Sequence, residues 1–334
     1  MDSPVRHYCT YFDHRYLPQG LALHQSMRAH IGKFRLWVLA LDEECEEILR
    51  RIRPEGLEVV SLRDLEQADP ELRASRQTRS LVEFYFTSTP CLLLHLLNQN
   101  PEIKRITYLD ADTYFFASPA EVEKQVEASS IAITPHRFRP ELEGHRKYGV
   151  YNVGWLSFRR DSETMACLGR WREQCLQDCR DEPEAGRFGD QGYLDEWPGR
   201  YAGVKVVDRS GFNEAPWNVR VDEISKNGQP VKIGQHPLIF FHFQGLRRIS
   251  PNLFNPNWHD YAIRPSPILI QAIYQPYLLA IAKAEKNAGL DASGQEFIRG
   301  RKSARSGGGR WSLLERLHIN IKAARGAYLS LPCR

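Results

Sequence analysis

Phe34–Leu41 (FRLWVLAL) limits the possible folds more than any other stretch of this chain. An apolar run of this length, broken by one arginine, is typical of a β-strand buried on both faces, which requires cover on both sides. Its neighbours supply that cover. Tyr8–Phe12 reads as a strand, Leu21–His30 as a helix, Glu43–Arg53 as a second helix and Leu57–Leu62 as a third strand. This βαβαβ opening predicts a parallel sheet joined by right-handed crossovers. Further strands are expected at Arg105–Leu109, Ile131–Thr134, Val150–Phe158, Val204–Val207 and Leu238–Phe243. Helices are expected at Leu81–Leu97, with a restart or kink at Thr89-Pro90, and at Ser162–Arg180. Ligands of such sheets sit beyond the carboxyl ends of the strands.

With 334 residues and 42% hydrophobic content, the chain can form one large α/β domain with an appendage. The expected division is a main domain over 1–265, a helical extension over 266–302 and a basic amphipathic tail over 303–334. Seven cysteines, an odd number without Cys-x-x-Cys pairs, fit reduced thiols. The N-terminus lacks the apolar core of a signal peptide, and the best apolar run, Pro267–Ala282, is interrupted by Gln271, Gln275 and Pro276. The expected location is therefore cytoplasmic, free or on the inner membrane face. The net charge of +4 is uneven: the stretch from Arg299 to Arg334 carries a local +8, leaving the remainder at −4. A nucleic-acid protein would carry its basic surface on the folded body, so nucleic acid is not an expected partner.

Asp110-Ala111-Asp112 follows the strand Arg105–Leu109 at the point where a cleft should open. In extended backbone, residues i and i+2 face the same way, so both carboxylates can grip one hard divalent cation. Mg²⁺ and related ions are held by one or two carboxylates plus substrate phosphates. A polar turn after a core strand is the plainer alternative.

Three later segments carry chemistry: Tyr151-Asn152-Val153-Gly154-Trp155, Phe188-Gly189-Asp190-Gln191-Gly192-Tyr193-Leu194 and Phe241-His242-Phe243-Gln244-Gly245-Leu246-Arg247-Arg248. In order and spacing with Asp110-Ala111-Asp112, they resemble GT-A glycosyltransferases, in particular glycosyltransferase family 8, over residues 8–250. The resemblance implies an α/β GT-A fold, a Rossmann-like and mainly parallel sheet with flanking helices, here followed by a C-terminal helical tail. It implies a Mn²⁺ (or Mg²⁺) site of Asp110, Asp112 and His242, although His242 by itself also reads as a core histidine. Carboxylate and imidazole together suit Mn²⁺. Gly245 permits close backbone approach and Arg248 stands near the place of the family's phosphate-binding lysine.

The same likeness puts Asp190 and Gln191 beside the anomeric carbon of the donor sugar as catalytic-site residues, with Asn152 and Gly154 lining the sugar pocket. Residue by residue, Asp190 also reads as a helix N-cap and Asn152-x-Gly154 as a hairpin turn. Where the family has an acid after the glutamine this chain has Gly192, which speaks against a carboxylate nucleophile. Thr10, Tyr11 and Asp13 occupy the base-binding place, with Tyr11 packing on uracil and Asp13 accepting its N–H; core packing explains Tyr11 equally well.

The implied reaction is metal-dependent, retaining transfer of a sugar from a nucleotide diphosphate donor, a UDP-sugar, to a hydroxyl of a surface glycan or lipid-linked oligosaccharide. Alternatives are a nucleotidyltransferase of related fold and a non-catalytic nucleotide-sugar-binding protein. In the tail, Leu314, Leu317, Ile321, Ala324, Tyr328 and Leu331 recur at helical spacing beside Lys322 and Arg325. That stripe fits an anionic membrane surface, with packing onto the main domain as the other reading.

Overall fold

The computed structural model describes residues 5–184, 187–226, 230–290 and 328–331. The opening is the expected one: β1 (Arg6–Phe12), α1 (Leu17–His30), β2 (Phe34–Ala40), α2 (Glu43–Ile52) and β3 (Leu57–Ser61). Two short helices, α3 (Leu62–Ala68) and α4 (Pro70–Ser75), lead into α5 (Leu81–Gln99). A capping box between Ser80 and Glu83 starts α5, which then runs through Pro90 without breaking. After it come β4 (Arg105–Leu109), β5 (Thr113–Phe115), α6 (Ala120–Gln125), β6 (Ile131–Pro135), β7 (Tyr151–Arg159), α7 (Ser162–Gln177), α8 (Trp197–Arg200) and β8 (Val204–Val206).

All of these strands except β5 form one sheet in the order β3-β2-β1-β4-β7-β6-β8. The strands β3, β2, β1 and β4 are parallel, whereas β7 runs antiparallel to both β4 and β6. The chain leaves β1 toward β2 on one side and returns to β4 on the other. The carboxyl ends of β1 and β4 therefore lie side by side at a topological switch point, where open α/β sheets bind ligands. Asn152 and Gly154 sit inside the nine-residue strand β7, not in a hairpin turn.

Each face of the sheet is buried. Cys9 and Leu39 join α5 and α7 residues such as Leu92, Leu96, Leu168 and Trp171 on one side. Tyr8, Leu36 and Val38 join α1 and α2 residues such as Leu23, Met27 and Leu49 on the other. This alternation of side chains is the strand period of two, and it explains why β2 is apolar apart from Arg35.

Between 224 and 237 three short strands pair: β9 (Ile224–Ser225), β10 (Lys232–Ile233) and β11 (His236–Pro237). The chain continues through β12 (Phe240–His242) to a hairpin of β13 (Arg247–Ser250) and β14 (Leu253–Asn255). The helical segment 267–288 opens with α9 (Pro267–Leu269), passes through a π turn at Ile270–Tyr274 and ends as α10 (Gln275–Ala288). It packs on α1, and its Ala284 and Ala288 enter the same core as β1 and β2.

Most of the amphipathic stripe lies outside the described residues. Its last part is not helical: β15 (Leu329–Ser330) is extended and pairs with β14, burying Leu329. Among the described residues, six cysteines are free and buried, and no helix is long and apolar enough to cross a membrane.

Gly20 in α1 lies against the buried ring of Phe12, and a Cβ there would overlap that ring. Glycine to alanine normally favours a helix by up to about 1 kcal/mol. Here overpacking should reverse the sign, so Gly20→Ala should lose about 1–3 kcal/mol, read as a lower urea midpoint. An unchanged or higher midpoint would show that Phe12 yields.

Candidate active site

The backbone brings the distant parts of the site together. Asp110 follows β4, and its carbonyl accepts from both Thr113 N (3.1 Å) and Thr113 Oγ1 (2.8 Å), closing a tight turn that holds Asp112 in place. Antiparallel pairing of β5 with β12 sets His242 opposite Thr113. The Phe243 N–H then donates to the Asp112 carbonyl at 2.9 Å. As a result His242 Nε2 lies 3.1 Å from Asp112 Oδ1 and 3.5 Å from Asp110 Oδ2.

Asp110, Asp112 and His242 each offer a ligand atom within 4.8 Å of the others, the histidine fully buried and the acids partly exposed. Asp110 Oδ1 is occupied by the Tyr108 hydroxyl (2.8 Å), which leaves Oδ2 toward the cluster. Burial raises the Asp110 pKa; His242 opposes that and Asp112 adds to it. For His242, burial works against the charge, but the two carboxylates outweigh it and hold the pKa above the usual histidine range. Neither ring nitrogen makes a well-aligned hydrogen bond. Two clustered acids beside an under-satisfied imidazole are a donor set that a divalent cation would complete.

Gly154 is part of this fit. A Cβ there would lie 2.6 Å from both Asn152 Oδ1 and His242 Nδ1, so only glycine lets the imidazole sit against β7. The Trp217 ring packs edge-on against His242 at 5.1 Å from the other side.

Asp190 and Gln191 reach the same region. Asp190 is buried and makes no capping bond to the 3-10 turn Gln191–Glu196 that it precedes. Its carboxyl instead accepts from Thr89 Oγ1 at 2.8 Å, and Trp171 Nε1 donates to its carbonyl at 2.8 Å. Burial, with a contribution from the Asp110 charge, lifts its pKa to about 7 against the Thr89 hydrogen bond. Gln191 is held at both ends of its amide. Oε1 accepts from Asn152 Nδ2 (3.1 Å) and Val153 N–H (3.2 Å), and Nε2 donates to the Tyr148 carbonyl (2.8 Å).

Asn152 is thus a hub of this polar network. Its Oδ1 accepts from Gly154 N–H (3.0 Å) and from Asn213 Nδ2 (3.1 Å), and its Nδ2 also lies 3.3 Å from His136 Nε2. Burial keeps His136 neutral, with a pKa of about 3, and its Nδ1 lies 3.2 Å from the Val150 carbonyl.

At the end of β1, Asp13 Oδ1 accepts from the N–H groups of Arg15 and Tyr16, both at 3.0 Å, and Oδ2 takes the Tyr85 hydroxyl at 3.3 Å. Tyr11 packs between Tyr85 and Tyr108, and Thr10 is buried with an unpartnered hydroxyl. Asp13 therefore shapes the β1–α1 turn as well as facing the switch point.

The arginine after Gly245 differs from expectation. Arg248 is drawn into a bidentate pair with Glu285 on α10 and lies over the Phe254 ring at 4.9 Å, so its guanidinium is committed to the scaffold. Its neighbour Arg247, on the other side of β13, has no ion pair among the described residues. Burial raises the Tyr261 pKa, the Asp112 charge adds to it and the Arg247 charge works against it. Gly245 has φ +79, and a Cβ there would lie 3.3 Å from Asn257 Nδ2, so the turn into β13 needs glycine.

Thr89, Tyr108, His136 and Asn213 have no signal in the sequence. Each is an ordinary residue type whose role comes from a partner far along the chain. Gly154→Ala should displace His242 from the two carboxylates, so that the His242 pKa falls toward the ordinary histidine value in an NMR titration, with the circular dichroism spectrum retained. An unchanged His242 titration in that variant would show that the glycine is dispensable.

No protein-family model matches the chain. YfnF of Bacillus subtilis (strain 168), an uncharacterised protein, is 34% identical over 253 residues, covering 73% of this chain and 83% of YfnF. YfnD of the same organism, also uncharacterised, is 29% identical over 280 residues, 83% of this chain and 89% of YfnD. Among solved structures, the galactosyltransferase LgtC, solved with donor and acceptor sugar analogues, superposes with a TM-score of 0.52 at 15% identity, covering 84% of this chain and 95% of LgtC. The chain therefore belongs to the family that includes YfnF, and its fold is that of the GT-A glycosyltransferases.

Proposed function

We propose that this protein is a metal-dependent glycosyltransferase that takes its sugar from a nucleotide diphosphate donor. The observation that carries this reading is the meeting of Asp110, Asp112 and His242 at the switch point of a GT-A sheet. Asp110 Oδ2, Asp112 and His242 Nε2 would hold Mn²⁺ or Mg²⁺. When bound, that ion would neutralise the charge that develops on the departing diphosphate.

The remaining roles belong to side chains. Arg247, which has no ion pair among the described residues, suits a phosphate oxygen. Tyr11 at the end of β1 suits the face of a uracil, with Thr10 and Asp13 beside it, in keeping with a UDP-sugar. Asp190 suits the hydroxyls of the donor sugar: near neutrality its carboxyl can serve as either donor or acceptor. The Gln191 amide is too firmly held by Asn152, Val153 and Tyr148 to swing, so it presents a fixed polar wall to the sugar. With no carboxylate at Gly192, the retaining course suits attack by an acceptor hydroxyl on the leaving-group face, a donor phosphate oxygen taking the proton. The acceptor would be a hydroxyl of a surface glycan or lipid-linked oligosaccharide.

Thermal-shift screening of nucleotide sugars with and without Mn²⁺ tests the reading. One UDP-sugar should stabilise the protein only when the ion is present, and Asp112→Ala should remove that increment. Equal shifts in the variant would rule out the site.

A second comparison separates the two arginines. Arg247→Ala should weaken UDP·Mn²⁺ binding by about tenfold or more, the scale of one charge-assisted hydrogen bond. Arg248→Ala should leave that affinity unchanged but cost about 3–5 kcal/mol of stability, because it leaves the buried Glu285 without its partner. The reverse pattern would return the phosphate to Arg248.

A further inference from the structure

His242 is held from a second side, by the loop 209–214. Within β12 and its ends, the Ile239 carbonyl and the Phe243 N–H face the β5 side, where they meet Phe116 N–H and the Asp112 carbonyl. The backbone N–H of His242 itself turns the other way and donates to the Glu214 carbonyl at 2.7 Å. Two further backbone bonds fasten the loop to this edge: Glu214 N–H to the Phe240 carbonyl (3.3 Å) and Ile239 N–H to the Gly211 carbonyl (2.6 Å). Asn213 donates through Nδ2 to Asn152 Oδ1 at 3.1 Å and to Thr134 Oγ1 at 2.8 Å. The loop is therefore a strap that touches both His242 and the amide network around Gln191.

Arg137 clamps the strap. Its guanidinium donates to the carbonyls of Arg209, Phe212 (2.7 Å) and Asn213 (3.2 Å), and to Glu214 Oε1 (3.1 Å). The same Glu214 oxygen accepts from Gly211 N–H at 2.8 Å, so the carboxylate ties the guanidinium to the strap's own turn. A planar fork with five donors suits acceptors spread in this way, whereas a lysine ammonium gathers its three donors at one point. The Arg137 backbone has φ +55, a left-handed conformation uncommon for a residue other than glycine. Such a conformation costs free energy and persists where the surroundings over-determine it. At this bend consecutive residues diverge: the His136 ring reaches Asn152 while Arg137 reaches the strap.

We propose that Arg137 is a positioning residue for His242. By clamping the strap it fixes the carbonyl that holds the His242 backbone, and so the place of the imidazole relative to Asp110 and Asp112. The proposal rests on the metal-dependent reading of the site. Ligand atoms bind an ion tightly when they are placed before it arrives, and the groups behind the ligands carry that placement. The β5 pairing fixes the residues flanking His242, and the strap takes the N–H of the histidine itself.

Arg160 supplies a matched control. It likewise gathers carbonyls, those of Leu97, Asn100 (2.7 Å) and Ile103 (2.8 Å), but at the amino end of β4, away from the site. In the full chain, Arg137→Ala should speed hydrogen exchange of the His242 amide relative to the β2 amides, read by NMR. It should also weaken Mn²⁺ binding by about tenfold or more in titration calorimetry. Arg137→Lys, which keeps the charge opposite Glu214 but not the fork, should move both quantities the same way, and it serves if the alanine variant does not fold. Arg160→Ala should lower the urea midpoint yet leave the relative exchange and the Mn²⁺ affinity as in the wild type. A wild-type value of either quantity in both Arg137 variants, or an equal loss of affinity in Arg160→Ala, would overturn the proposal. A wild type that binds no Mn²⁺ would instead overturn the metal-site reading, and exchange at His242 would still decide whether Arg137 holds it.

Discussion

The pairing of β5 with β12 is the interaction on which the rest of the site depends. Three residues on each strand carry His242 to the turn that holds Asp110 and Asp112, and the Phe243 N–H donating to the Asp112 carbonyl completes the attachment. Because backbone hydrogen bonds make the join, the geometry of the three side chains is set before any ligand arrives. A site supported by strands is held more closely than one on free loops, and metal ligation needs that closeness.

Electrostatics follow from this geometry. Two carboxylates and a histidine share a partly desolvated corner, so the charges interact strongly and the imidazole gains a proton readily. Asp190, also buried, holds a carboxyl whose pKa is about 7, with the Asp110 charge contributing. The corner carries excess negative potential of the sort a divalent ion neutralises. Around it, uncharged hydrogen bonds link Asn152, Asn213, His136 and Gln191 without adding charge, and Asn213 Oδ1 is left without a partner among the described residues.

Much of the fold was legible because it is local. The apolar run of β2, the alternating helices and strands around it and the Asp-x-Asp after β4 all depend on residues a few positions apart, where periodicity speaks directly. The misreadings have a common cause. Asn152-x-Gly154 has the composition of a turn, yet it lies within β7, and Gly154 is small because His242 packs on it. Asp190 has the composition of an N-cap, yet its carboxyl turns to Thr89 on α5. The end of the tail has helical spacing, yet Leu329 and Ser330 are extended because β14 offers an unpaired edge.

By itself, then, the sequence determined a mainly parallel α/β sheet and a carboxylate pair at its carboxyl edge; what orients the two acids is the Asp110–Thr113 turn, not the strand period. Only the tertiary structure decided which arginine is committed: adjacent residues of β13 face opposite ways, and Glu285, on a helix some forty residues later, claims Arg248, whereas Arg247 has no ion pair among the described residues. The series of ring contacts through Phe138, His145, Tyr148, Phe188, Trp217 and Tyr261 is likewise a tertiary product, gathered from four separate segments. No spacing rule could reveal it, because the rings meet only after the sheet has brought their loops to one edge.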